Sequence, residues 1–263
     1  MKRILLLLAV FVLVPQVEGW AGSQTFQHDG VNDYNNCEDD GYKYTINNAD
    51  SMRNYGAGAV SDVGTDVSGE AIYRQIVRFP SFSQVLDDSG VTAAEIDSGE
   101  VEFYFYGESD AADTEYVAYQ VDNLWEHGVQ GTAQYDSNVC WIYRKDSLEA
   151  GRTGDTAWGT PGGDYTTVCD TVEITSATGE WWGWKIPKTV CSSWVADSLQ
   201  NYGIILKSLE EDTTGATSTY KYARSSHYVT TGERPRFTVY WTHSGTAMTI
   251  GPATIGTGVT IGP

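Results

Sequence analysis

Basic residues are scarce in this chain: 16 Lys and Arg face 35 Asp and Glu, for a formal net charge of -19. A surface this acidic repels nucleic acid, anionic lipid and anionic polysaccharide unless a local basic patch or a bridging divalent cation intervenes, so nucleic acid is not expected as a partner. Catalytic signatures are missing as well. The sequence has no H-E-x-x-H, no G-x-S-x-G elbow and no Walker loop, and "GAGAVSDVG" (residues 56–64) fails the dinucleotide pattern at its third glycine. The four histidines, His28, His127, His227 and His243, are scattered along the chain, and isolated histidines are more often surface or hydrogen-bonded groups than ligands. Acidic residues are so abundant that no carboxylate pair stands out for glycoside hydrolysis, which needs a spatial separation. No enzyme is expected. Amphipathic helices of useful length are also absent.

Long apolar runs are missing everywhere except at the start. In "MKRILLLLAVFVLVPQVEGWAG", Lys2 and Arg3 precede an apolar stretch from Ile4 to Val14, and small residues follow near Gly19 and Ala21. This pattern predicts a secretory signal peptide over residues 1–21; the short run and Pro15 argue against a membrane anchor. The mature chain is therefore expected to lack a membrane span and to be secreted, extracellular or at the cell surface. Removing residues 1–19 deletes Lys2, Arg3 and Glu18, a net of +1, which takes the formal charge from -19 to -20.

Cysteine is sparse too. Cys37, Cys140, Cys169 and Cys191 are even in number, contain no C-x-x-C pair and follow an export signal, which favours two disulfides over a zinc site. Spacing leaves all three pairings open. Cys140 with Cys169 is favoured because the two bracket one long irregular segment.

What the chain does have is glycine, tyrosine and a repeated local pattern: 28 Gly and 17 Tyr, and short alternating or apolar runs closed by Gly, Asp, Asn or Ser. This is the grammar of an all-β domain. Strands are predicted at Ala71–Phe79, Glu100–Gly107, Glu115–Val121, Gly183–Val190, Tyr202–Ser208, Thr219–Ser225 and Arg236–Thr242, with helical turns at "SFSQVLDDSG" (residues 81–90) and "SSWVADSLQ" (residues 192–200). In "EVEFYFYG" the alternation puts Val101, Phe103 and Phe105 on one face and Glu102, Tyr104 and Tyr106 on the other.

The order of several weak motifs resembles the DNRLRE domain family. These are "NYG" at residues 54–56, "RQIVRF" at 74–79, "SGEVEFYFYG", "LWEHGV" at 124–129, "CWIY", "AWGTPGGDY" at 157–165, "WKIPKTVCSSWV", "NYGIILKS" and "ERPRFTVYW". The resemblance covers about residues 44 to 241. It implies a secreted, jelly-roll-like antiparallel β-sandwich, here residues 22–243, related to some carbohydrate-binding modules and without catalysis. Two departures occur: Pro80 follows Phe79 where the family usually has aspartate, and "WKIPKTV" lacks the usual aspartate and threonine. Any ligand role of that aspartate is thereby put in doubt.

Sugar rings present apolar C–H faces that stack on exposed aromatic side chains, so the nine tryptophans need sorting. Trp125, Trp141, Trp158, Trp184 and Trp194 fall where the family pattern carries aromatics and are assigned to the core. In "EWWGWKIP" alternation puts Trp182 and Trp184 on one face and leaves Trp181 on the other. Trp181, Tyr104 and Tyr106 are the candidate ligand-binding residues. "HDGVNDYNNCEDDGYK" (residues 28–43) reads as a turn-rich acidic segment that could wrap a structural calcium ion, with Asp39 and Asp40 as first ligands, Asp29 and Asp33 beside them, and Asn32 and Glu38 as further oxygen donors.

The last segment, residues 244–263, carries no charge and repeats a T-I-G unit after Met248, Ala253 and Val259. It reads either as a linker or as an edge strand donated to a neighbour. Two functions follow. One is a non-catalytic module that binds an extracellular polysaccharide, neutral or calcium-bridged, or mediates adhesion; the other is a structural subunit whose partners are other copies of itself.

Overall fold

The computed structural model describes residues 21–29, 34–45, 58–66, 70–108, 113–127, 139–145, 156–175, 179–212 and 218–243. Residues 1–20 of the signal peptide predicted over 1–21, and the uncharged tail, lie outside them, whereas Ala21 opens the first strand. The strands are β1 (Ala21–Gln27), β2 (Glu38–Thr45), β3 (Val60–Thr65), β4 (Ala71–Arg78), β5 (Ile96–Glu108), β6 (Thr114–Val121), β7 (Tyr143–Lys145), β8 (Thr156–Ala157), β9 (Tyr165–Ile174), β10 (Glu180–Ile186), β11 (Ile204–Ser208), β12 (Lys221–Arg224) and β13 (Arg236–Thr242). Among the described residues two α-helices interrupt them, α1 (Phe82–Asp88) and α2 (Lys188–Ala196).

All strand pairs are antiparallel, and eleven strands form one curled sheet in the order β1-β13-β5-β12-β3-β4-β11-β6-β9, with β10 added on β5 and β2 on β4. The branching comes from two long strands whose edges are shared. Along β5, β10 pairs with Gly99–Phe105, while β13 takes Ile96–Glu102 and β12 takes Phe105–Glu108. Along β4, β2 runs the full length, while β3 and β11 divide the residues from Ile72 to Val77.

The sheet curls around a main core that draws on nearly every strand: Phe26, Val63, Val77, Val101, Phe103, Phe105, Tyr116, Ile174, Trp184, Leu206 and Phe237 are all buried in it. Its aromatic rings meet mostly edge to face, as at Phe82–Phe237, 5.1 Å apart at 88°. That arrangement adds quadrupole attraction to area burial. A second, smaller core lies on the other side of β4 and β11 and contains Tyr42, Ile76, Val121, Trp125, Trp141, Trp158 and Ile205. The five tryptophans assigned to the core are buried, Trp125 and Trp184 completely.

With a core on each face, β11 is buried at all five positions. This accounts for its unbroken apolar run, which alternation would not produce. Gly203 delivers the chain into it. Its φ is +82° and a Cβ there would lie 2.0 Å from the Val77 carbonyl oxygen, so both the turn and the close approach of β4 require glycine. Inside the second core, Arg74 is bound by Glu211 at 2.8 Å, lies 4.4 Å over the Trp141 ring and donates to the Gly162 carbonyl at 2.5 Å. A buried guanidinium needs such a complete set of partners.

The strand predicted over Gly183–Val190 ends earlier, at Ile186. Pro187 precedes α2 as its cap residue, and a proline ahead of a first helical turn costs no hydrogen bond. The amphipathic run Val190, Cys191, Trp194 then faces the core. The acidic segment predicted as turns becomes strand from Glu38 onward: β2 pairs with β4 over eight residues from Glu38 to Thr45, and that pairing overrides the turn-rich composition.

Candidate functional site

Strand alternation sends Tyr104 and Tyr106 to the outer face of β5, opposite the buried Phe103 and Phe105. Trp181 is the cross-strand partner of Tyr104, with ring centroids 5.5 Å apart in edge-to-face geometry. The three candidate residues therefore share one half-exposed face. The structure extends that face with residues the sequence reading missed. Tyr106 meets Tyr222 at 5.8 Å, Tyr222 meets Tyr220 at 4.8 Å, and Tyr220 meets Tyr73 at 4.4 Å. The rings form a strip across β10, β5, β12 and β4. Only the topology reveals it, because β12 and β4 come to lie in line with β5 through the intervening β3.

Cations and carboxylates are interleaved with the rings. The Arg236 guanidinium lies 4.0 Å over Trp181 and is clamped by Glu102 through two bonds, Nε to Oε2 at 2.6 Å and Nη2 to Oε1 at 2.8 Å. Arg224 lies over both Tyr106, at 3.6 Å, and Tyr228, at 3.8 Å. Each guanidinium covers one face of its ring, so a ligand has at most the other. Next to Glu102, Glu100 accepts from the Tyr240 hydroxyl at 3.2 Å. Gly183 leaves room for these carboxylates, since a Cβ there would sit 2.6 Å from Glu100 Oε1. Beneath the far end of the strip, Asp62 accepts from the Tyr220 hydroxyl, and burial pushes its carboxyl up to about 6. Two surface clefts, one lined by α1 and α2 residues and one beside Arg78 and Leu199, contain none of these rings. The strip is a half-exposed row of rings, guanidinium groups and carboxylates whose ring planes alternate between tilted and edge-to-face, suited to stacking and hydrogen bonding.

The predicted metal ligands are dispersed. Asp39 and Asp40 are both 1% exposed, but as consecutive strand residues they point to opposite sides of the sheet and cannot hold one ion together. Asp29 is bound by Arg234 at 3.0 Å, and Asp33 lies outside the described residues. Asp39 instead faces histidines. His28, His127 and His227, scattered in sequence, gather at one end of the sheet, with His227 5.6 Å from His127 and 6.3 Å from His28, ring centre to ring centre. No sequence signal marks this, because the three belong to segments about a hundred residues apart. His243 is elsewhere, bound to Glu95 at 2.8 Å.

The predicted disulfide framework is not formed. No disulfide joins Cys37, Cys140, Cys169 or Cys191. Cys140 accepts from the Tyr143 backbone N–H at 3.3 Å, beside the second core, whereas Cys169 packs against the main core; the sheet separates the pair favoured from sequence. Cys169 instead neighbours Cys191, and burial, followed by the charge of Cys169, pushes the Cys191 thiol up to about 12.

No family model matches the chain, and no curated protein matches it.

Proposed function

We propose that this chain is a secreted, non-catalytic module of jelly-roll type, akin to the DNRLRE domains its motif order resembles, and that it binds extracellular glycan on the outer face of β10, β5 and β12. The observation that carries this reading is the Trp181–Tyr104 pair standing beside the Glu102–Arg236 clamp. Aromatic rings take the apolar face of a pyranose, and fixed carboxylate and guanidinium groups take its hydroxyls. Because the row of rings crosses several strands, it favours an internal stretch of polysaccharide over a chain end. The acidity of the whole molecule favours a neutral polymer, or an anionic one bridged by a divalent cation such as calcium.

Retention of the full-length protein on immobilised polysaccharides, or on a glycan array, tests this. Trp181→Ala should weaken retention by the equivalent of about 1–2 kcal/mol, as for a buried aromatic contact, with the melting temperature little changed because Trp181 lies outside both cores. Absence of retention on every glycan, or retention indifferent to Trp181, Tyr104 and Tyr106 together, overturns it.

A further inference from the structure

The three imidazoles stack in a row, two of them beside a buried carboxyl. His127 and His227 are inclined by only 18°, and His28 and His227 by 29°. The Asp39 carboxyl beside them is 1% exposed. Its Oδ1 accepts from the Ser226 backbone N–H at 2.8 Å. Its Oδ2 is buried with no partner, and so is Nε2 of His127. One ligand atom each from Asp39, His127 and His227 lies within 4.8 Å of the other two. Orphaned polar atoms in a protein interior are costly, and here two of the three clustered residues each carry one.

We infer that this end of the sheet is a binding site for a borderline divalent transition metal, of which zinc is the natural probe, held by Asp39, His127 and His227. The donor set chooses the metal. Two imidazoles and one carboxylate match zinc and its neighbours, whereas calcium needs six to eight oxygens, which this cluster does not provide. The surroundings orient two of the ligands. The Ser226 N–H fixes one carboxylate oxygen, leaving the other to bind. The Ser226 hydroxyl lies 3.2 Å from Nδ1 of His227, leaving Nε2 as the coordinating nitrogen, a supporting contact of the kind that bound imidazoles normally have. Zinc bonds of about 2.0–2.1 Å set ligand atoms roughly 3.4 Å apart, so the cluster must close by on the order of 1 Å. The exposed His227 and half-buried His127 can make that movement while Asp39 stays fixed in β2. Arg234, a cation whose charge acts on His227, is held by Asp29 and by the carbonyls of His28 and Tyr228, so its charge is partly answered before a metal arrives. Three protein ligands leave a fourth position for water, and the ion would tie β2 to the segment after β6 and the turn after β12.

The test is zinc binding by isothermal titration of the full-length protein after chelator treatment, with visible absorption of the cobalt-loaded protein to report coordination. One zinc per chain is expected, not displaced by an excess of calcium. Asp39→Asn and His127→Gln should each weaken it about tenfold or more, on the scale of losing one ligand or its support, and His243→Gln should leave it unchanged. Asn keeps an oxygen for the Ser226 N–H, so Asp39→Asn preserves the fold. If it nonetheless unfolds, His227→Gln at the exposed ring reports on the same site. No binding by the wild-type protein, binding indifferent to all three substitutions, or displacement by calcium would each overturn the inference.

Discussion

Asp62 shows how one side chain couples the aromatic strip to pH. Its carboxyl is largely buried, one oxygen accepts from Tyr220 and the other has no partner. Desolvation therefore outweighs the hydrogen bond and raises it from 3.8 to about 6. Between those values the folded protein binds more protons than the unfolded chain. Stability is then highest below the unfolded value and declines as pH rises through about 6. Melting temperatures from pH 4 to 7 should show this decline in the wild type and a flatter profile in Asp62→Asn. Equal slopes in the two proteins would mean that the carboxyl is not desolvated. Nothing in "VSDVGT" marks Asp62 as unusual, since an aspartate in a glycine-bounded run reads as turn chemistry. Trp181 differs: strand alternation alone separates it from Trp182 and Trp184.

At the scale of elements, strands with a strong period were legible. β4, β5, β6 and β13 declare themselves by alternation or by β-branched and aromatic density, and their observed ends fall within a few residues of the predicted ones. Those hidden in the sequence were polar. β9, "YTTVCDTVEI", lies at the sheet edge with Thr166, Thr167 and Val168 exposed, and β2 carries two buried aspartates whose backbone pairs with β4, Asp39 meeting Ser226 as well. Pairing partners distant in sequence decided both, and no local window contains them. The junction before β11 gives a sharp test. Gly203→Ala forces a left-handed residue against the Val77 carbonyl and should cost about 2–4 kcal/mol, from strain plus displacement of β4. Urea denaturation measures it, and a loss below about 0.5 kcal/mol, the range of neutral surface changes, would show that the turn relaxes freely.

Across the whole molecule, the histidine cluster illustrates what sequence could not disclose: its members converge only after the curled sheet has closed. The cysteines make the complementary point, because an even count and an export-like leader suggested bridges that the packing does not form. Burial raises Cys169 and Cys191 to about 12. At pH 8 such a thiol is ionised in only roughly one molecule in ten thousand. Labelling with a thiol reagent should therefore be very slow on the native protein and reach four thiols per chain in denaturant. Rapid native labelling, or bridged cysteines in the unreduced intact mass, would contradict this.

The two outermost described segments are partners. Ala21 of β1 pairs with Thr242 of β13, and the register runs on to Gln27 and Arg236. Because Ala21 and Thr242 lie at the same end of this antiparallel ladder, tension applied through both would open the hydrogen bonds one at a time, like a zipper, without loading the whole ladder in shear. Resistance to stretching would then be low along that axis and would rise only when the peel reached the middle of β5, where strands on both edges must be displaced together. During synthesis the same pairing leaves β1 without its neighbour until β13 has emerged, so this edge of the sheet can close only once residues 236–242 have been made.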